Sequence, residues 1–183
     1  SPAAPAPFML ALHGATGDGE RMANRWREAA ERHGVIVLAP SSLERTWDVL
    51  TTGYGPDVAR IDRALAEAFA KLNVDTSRVY IEGFSDGASY ALSLGLANGD
   101  LFTHVIANSP GFFTVPALIG KPRFLFTHGT EDTVLPIART SRLLVPQFQR
   151  AGYDVTYHEF EGGHRLTDEI MALSLEWAGA PAR

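Results

Sequence analysis

Short apolar runs alternate with longer stretches of helical spacing along most of this chain, and that alternation constrains its fold more than any other feature. Phe8–Leu12, Val35–Ala39, Val79–Glu82, His104–Asn108, Arg123–Thr127 and Asp154–Phe160 read as six strands. Between them, Val58, Ile61, Leu65, Phe69 and Leu72 recur at the spacing that puts apolar groups on one face of a helix. Further helices are expected over Arg21–His33, closed by Gly34, and over Ala88–Ala97, Arg139–Ala151 and Thr167–Trp177. Strands that are apolar throughout and separated by helices predict a mostly parallel sheet covered on both faces. The expected fold is therefore α/β, a three-layer αβα sandwich on a six-stranded sheet.

A chain of 183 residues with 45% hydrophobic residues suits one domain with a real core. Residues 1–7, Ser-Pro-Ala-Ala-Pro-Ala-Pro, read as a linker or trimmed end, and residues 8–183 as the domain. No apolar run approaches bilayer length, so a soluble chain without a transmembrane segment is expected. The compartment, cytoplasmic or exported after removal of a signal, is left open, as is the oligomeric state. A net charge of -5 argues against nucleic acid as a partner, because phosphate binding needs a basic surface. Arg21, Arg25 and Arg27 are interleaved with Glu20, Glu28 and Glu31, the pattern of a solvated helix face. The absence of cysteine removes disulfides, thiolate zinc sites and a thiol nucleophile together. No metal-ligand motif is present, and no cofactor is expected.

In an open parallel sheet the chemistry gathers beyond the carboxyl ends of the strands. His13-Gly-Ala-Thr-Gly-Asp-Gly19 follows the first strand, and Gly83-Phe-Ser85-Asp-Gly87 the third. His128-Gly-Thr-Glu-Asp132 ends the fifth, and Glu161-Gly-Gly-His164 follows the sixth. The segment around Ser85 fits G-x-S-x-G between a strand and a helix, the context that motif requires. Its glycines relieve crowding at a strained turn that lifts the Ser85 hydroxyl clear of the sheet. An ordinary turn with a serine near a helix cap is the plainer alternative.

A serine hydroxyl needs a base near neutral pH, and histidine titrates in the useful range. His164 lies in a glycine-rich loop at a strand end. His33, His104 and His158 read as surface or sheet residues, and His13 and His128 as residues that fix loop geometry. The base in turn needs an acceptor for its second nitrogen. Asp132 is the first choice, with Glu131 and Asp154 as rivals and an Asx turn as its plainer role. Two N–H donors are expected to form an oxyanion hole: Asp86, with Ala15 as first choice and Thr16 as second from the loop after the first strand. That loop also loosely resembles a dinucleotide loop, but its spacing is GxxGxG and no acidic residue ends the second strand.

The segments LHGATGDG, DVARIDRALAEAF, VDTSRVYIEGFSDGAS, FTHGTEDTVLPI and AGYDVTYHEFEGGH, in the order Ser85, Asp132, His164, resemble the α/β-hydrolase superfamily. Within it they are similar to phospholipase/carboxylesterase-type and polyhydroxybutyrate-depolymerase-like esterases, over Phe8 to about Trp177. The resemblance implies a serine hydrolase that cleaves carboxylic esters through an acyl-enzyme. Full-core members carry two further strands ahead of the first one here, so a reduced sheet or a shortened N-terminus is expected. Asp86 stands where related esterases often carry a neutral residue, and its carboxylate is expected to point away from the oxyanion. Only residues 109–122 separate the fourth and fifth strands, too few for a cap domain. An open site suits small, short-chain or polymeric esters. Phe112 and Phe113 are candidates for one wall of a substrate pocket, and Trp47 with Tyr54 for another, with core or surface packing the alternative for each. A peptidase, thioesterase or acyltransferase on the same residues, and an inactive binding scaffold, are the competing readings.

Overall fold

A computed structural model of the chain describes residues 4–50 and 53–179. The first three residues of the Pro/Ala-rich segment lie outside the described residues. Six strands form one all-parallel sheet: β1 (Ala6–Leu12), β2 (Ile36–Leu38), β3 (Val74–Phe84), β4 (His104–Asn108), β5 (Arg123–Gly129) and β6 (Val155–Phe160). Their spatial order is β2-β1-β3-β4-β5-β6. The helices are α1 (Gly19–His33), α2 (Pro56–Lys71), α3 (Asp86–Ala97), α4 (Ser141–Arg150) and α5 (Asp168–Trp177). Short 3₁₀ turns cover Asp48–Leu50 and Ile137–Arg139. This is the expected three-layer αβα sandwich.

Strand periodicity sorts the core into two layers. Phe8, Leu10 and Leu12 of β1, with Val79 and Ile81 of β3, pack against Ile61, Leu65, Ala91, Leu92, Leu144 and Phe148 from α2, α3 and α4. Met9, Ala11 and Tyr80 point the other way, onto Met22, Trp26, Ile170 and Leu175 from α1 and α5. Successive residues of a strand face opposite sides, so one apolar run feeds both layers. Burying each such side chain stabilises the fold by about 1.5–3 kcal/mol. α3 lies at the centre and is buried from Gly87 to Leu96, which explains why it is apolar all round rather than amphipathic.

Several expected boundaries shift for local reasons. α1 begins at Gly19 because Asp18 caps it, accepting from the Arg21 N–H at 2.8 Å, and Gly34 closes it at φ 64°. β2 is a half-buried edge strand rather than a fully buried one, since it pairs on one side only. β3 starts earlier than expected, at Val74, which pairs with Ala6 of β1. His33 is buried at 3% exposure, not on the surface, because it falls on the apolar face of α1 with Met22, Trp26 and Ala29. Among the described residues no helix is long and apolar enough to cross a membrane.

Candidate active site

Ser85 occupies the junction of β3 and α3 with φ 58°, ψ -118°, backbone geometry that an L-residue adopts only under constraint. The flanking glycines show why the turn is possible. A Cβ on Gly83 would lie 2.0 Å from the Gly87 carbonyl oxygen, and one on Gly87 would lie 2.1 Å from that of Leu12. Thr16 and Ser109 share the left-handed backbone, at φ 61° and 54°. These three are the non-glycine residues with positive φ among those described, and they follow β1, β3 and β4 at one end of the sheet.

The ends of β5 and β6 are laced together. The Thr130 N–H donates to Phe160 O at 2.9 Å and the Glu131 N–H to Gly162 O at 2.8 Å. This lacing brings His164 to Asp132, with 2.6 Å from Nδ1 to Oδ2, and on its other side Nε2 lies 2.8 Å from Ser85 Oγ. Ser85 is 8% exposed, and the Asp132 carboxylate is wholly buried. Asp132 Oδ1 accepts from the N–H groups of Val134 and Leu135 at 2.9 and 2.8 Å, so the Asx turn is present together with the histidine contact. Burial works to raise the Asp132 pKa, but the hydrogen bond from His164 and the Leu135 N–H outweigh it and hold the group below the usual carboxylate range. Glu131 is exposed, and Asp154 pairs with Arg123 at 2.8 Å near the opposite end of the strands.

His128, read from the sequence as fixing loop geometry, also borders this site. Wholly buried, it sits with Nδ1 2.7 Å from Ser141 Oγ and Nε2 2.8 Å from Leu135 O and 3.1 Å from Asp132 Oδ2. Burial pulls its pKa down, which favours the neutral ring. The signal available was its position at the end of an apolar strand four residues before Asp132.

The loop after β1 is tied down by hydrogen bonds. Ser42 N–H donates to His13 Nε2 at 3.0 Å, and the Trp47 indole donates to His13 O at 2.8 Å. The N–H of Thr16 is taken by Arg45 O at 2.7 Å, so Thr16 is corrected as an oxyanion donor: its proton is already committed. The N–H groups of Ala15 and Asp86 meet no backbone acceptor among the described loop contacts, and Asp86 opens α3, where N–H groups lack intrahelical partners. The Asp86 carboxylate accepts from Thr46 Oγ1 at 2.6 Å.

Two of the expected pocket residues belong elsewhere. Trp47 is fully buried, stacked on Tyr90 with centroids 5.2 Å apart; a buried indole needs an acceptor, and His13 O supplies it. It braces the loop. Phe113 packs edge-on against Phe148 and helps line an apolar cavity of about 80 Å³ with Leu96 and Tyr153. Leu96 lies at the far end of α3 from Ser85, so that cavity is remote from the serine. Phe112 stays half-exposed, its N–H held by Ser89 Oγ at 3.3 Å. Tyr54 is 38% exposed, with its hydroxyl bonded to Thr114 O.

Beneath the serine, Glu82, Asn108 and Thr127 form a buried chain across β3, β4 and β5. Asn108 Nδ2 donates to Glu82 Oε1 at 2.8 Å, and Thr127 Oγ1 donates to Asn108 Oδ1 at 2.6 Å. Burial pushes the Glu82 carboxyl up to about 8.

The phospholipase/carboxylesterase family pattern matches residues 58–177, which hold Ser85, Asp132 and His164. The chain belongs to this family. Two curated relatives carry related names. The bifunctional acetylxylan esterase/xylanase of Neocallimastix patriciarum is 27% identical over 135 residues, covering 70% of this chain and 20% of that protein. The acetylxylan esterase of Coprinopsis cinerea is 28% identical over 106 residues, covering 52% of this chain and 28% of that protein. The chain thus spans less than a third of either relative's length. Solved structures superpose over nearly the whole chain. Esterase PE8 has TM-score 0.76 at 22% identity, covering 97% of this chain and 94% of that one. The Bacillus cereus carboxylesterase has TM-score 0.72 at 22% identity, covering 95% and 88%.

Proposed function

We propose that this chain hydrolyses carboxylic esters by an acyl-enzyme route, with Ser85 as nucleophile, His164 as general base and acid, and Asp132 as the group that orients His164. The observation that carries this reading is the unbroken line from Asp132 Oδ2 through His164 to Ser85 Oγ, at 2.6 and 2.8 Å. In the forward step the Ser85 oxygen adds to the ester carbonyl while His164 Nε2 takes its proton. The N–H groups of Ala15 and Asp86 would receive the negative charge that builds on the carbonyl oxygen, assisted by the N-terminus of α3. Collapse releases the alcohol, which leaves with the proton from His164. Water then repeats the sequence on the acyl group held by Ser85.

Relatives named as acetylxylan esterases favour a small acyl group such as acetyl. The experiment is labelling with a fluorophosphonate, followed by mass measurement of the intact chain and its peptides. A single adduct on Ser85, with hydrolysis of methyl acetate, is expected. A folded chain that takes no adduct and cleaves no ester overturns the reading in favour of a binding scaffold.

A further inference from the structure

Beside the serine lies a groove of about 260 Å³ between the loop after β1 and helix α1. His13, Gly17, Met22, Phe84 and Leu166 line it, together with the charged residues Asp18, Arg21 and Arg25. Phe84 joins it to the site, since this residue precedes Ser85 and its ring lies 4.8 Å from the His164 ring. Resting on the esterase reading above, we infer that this groove is the subsite for the alcohol portion of the ester, and that it selects an aromatic alcohol.

Its position assigns the alcohol rather than the acyl group. The departing oxygen takes its proton from His164 Nε2 as the bond to the carbonyl carbon breaks, so the alcohol must lie on the His164 side of Ser85. Phe84 against the His164 ring, and Leu166 two residues beyond it, define that side.

Its composition assigns the ring. The volume exceeds the roughly 150 Å³ that holds benzene and falls below the roughly 300 Å³ at which drug-sized pockets begin. Met22 offers a thioether and Phe84 a ring face, both favourable against an aromatic group. Arg21 and Arg25 stand one turn apart on α1, placed for a guanidinium to cover the open face of a bound ring. An alkyl chain gains apolar burial there but neither the thioether–ring nor the guanidinium–ring contact. A carboxylate gains little, because Arg21 already pairs with Asp18 at 3.3 Å and Arg25 lies 3.6 Å from Asp168.

The test compares kcat/KM for methyl acetate, benzyl acetate, methyl phenylacetate and xylose tetraacetate. A preference for benzyl over methyl acetate of about tenfold is expected, with no such gain when the ring moves to the acyl side in methyl phenylacetate. Arg21→Ala, at a side chain 81% exposed, should lower the benzyl-to-methyl ratio about threefold. Met22→Leu conserves volume and should lower the same ratio by a smaller factor. Equal rates on the benzyl and methyl esters, or a preference for the sugar acetate, overturn the groove and leave the esterase reading standing. If none of the four esters is cleaved, the groove is still read by adding benzyl alcohol to methionine-methyl-labelled protein. The Met22 resonance, identified among three methionines by its loss in Met22→Leu, must then shift, or the assignment is wrong.

Discussion

His128 and His164 both point a ring nitrogen at the same oxygen of Asp132, at 3.1 and 2.6 Å. The His128 imidazole is wholly buried, and it ties the carboxylate to Leu135 O and Ser141. On the proposed mechanism His128 is a positioning residue acting through Asp132. Replacing His128 with Asn should lower kcat by about 10–100-fold while leaving KM within a small factor, because small displacements of a catalytic group cost that much. A fall in KM-dependent binding with kcat intact would remove His128 from this role.

Ser85→Ala should lower kcat by at least about 10⁴-fold, since loss of the nucleophile leaves only binding and oxyanion stabilisation. Its urea unfolding midpoint should not fall, because the hydroxyl's partner in the fold is His164 Nε2 at the solvent-facing end of the site. Steady-state rates and an unfolding curve on the same preparation check both halves.

Asp86 places a carboxylate on the residue whose N–H is proposed to face the oxyanion, and Thr46 Oγ1 holds that carboxylate at 2.6 Å. Asp86→Asn keeps an acceptor for Thr46 and removes the charge. The rate of acylation should rise by about two- to tenfold, as expected for relieving a like-charge interaction near a protein surface. An unchanged pre-steady-state burst rate would mean that the carboxylate is already screened from the reacting oxygen.

Burial raises Glu82 from its ordinary value near 4.5 to about 8. Between those values the folded chain keeps a proton that the unfolded chain has released, so this group's contribution to stability falls as pH rises through that window. The slope is about 1.4 kcal/mol per pH unit at most. Glu82→Gln removes the ionisation, so its unfolding midpoint should change less than that of the wild type between pH 5 and pH 8. Parallel declines in the two proteins would mean that another group sets the slope.

The layers and the parallel sheet were legible because six apolar runs, each flanked by helical spacing, leave few other ways to bury both faces. The four strand ends bearing Ser85, Asp132, His164 and the His13 loop were legible for the same reason: parallel order places them on one side. Trp47 and Phe113 were not. An aromatic residue in a loop has the same sequence signature whether it lines a pocket or anchors the loop, and the partner that decides, His13 O or Phe148, is far away in the chain. Thr16 was misjudged because the consumption of its N–H by Arg45 O depends on how two loops meet. His128 reads from the sequence as fixing loop geometry, which its bonds to Leu135 O and Ser141 fit, while its contact with Asp132 depends on the turn it folds under.

The left-handed backbone at Thr16, Ser85 and Ser109 carries a consequence for how this protein can be altered. Each such residue costs about 1–2 kcal/mol relative to relaxed geometry, and all three sit where the chemistry is proposed to occur. Glycine at any of these places would relieve that backbone strain. Selection for thermal endurance alone would therefore erode the site first, so an engineer should seek robustness at the sheet's opposite end and in its flanking helices.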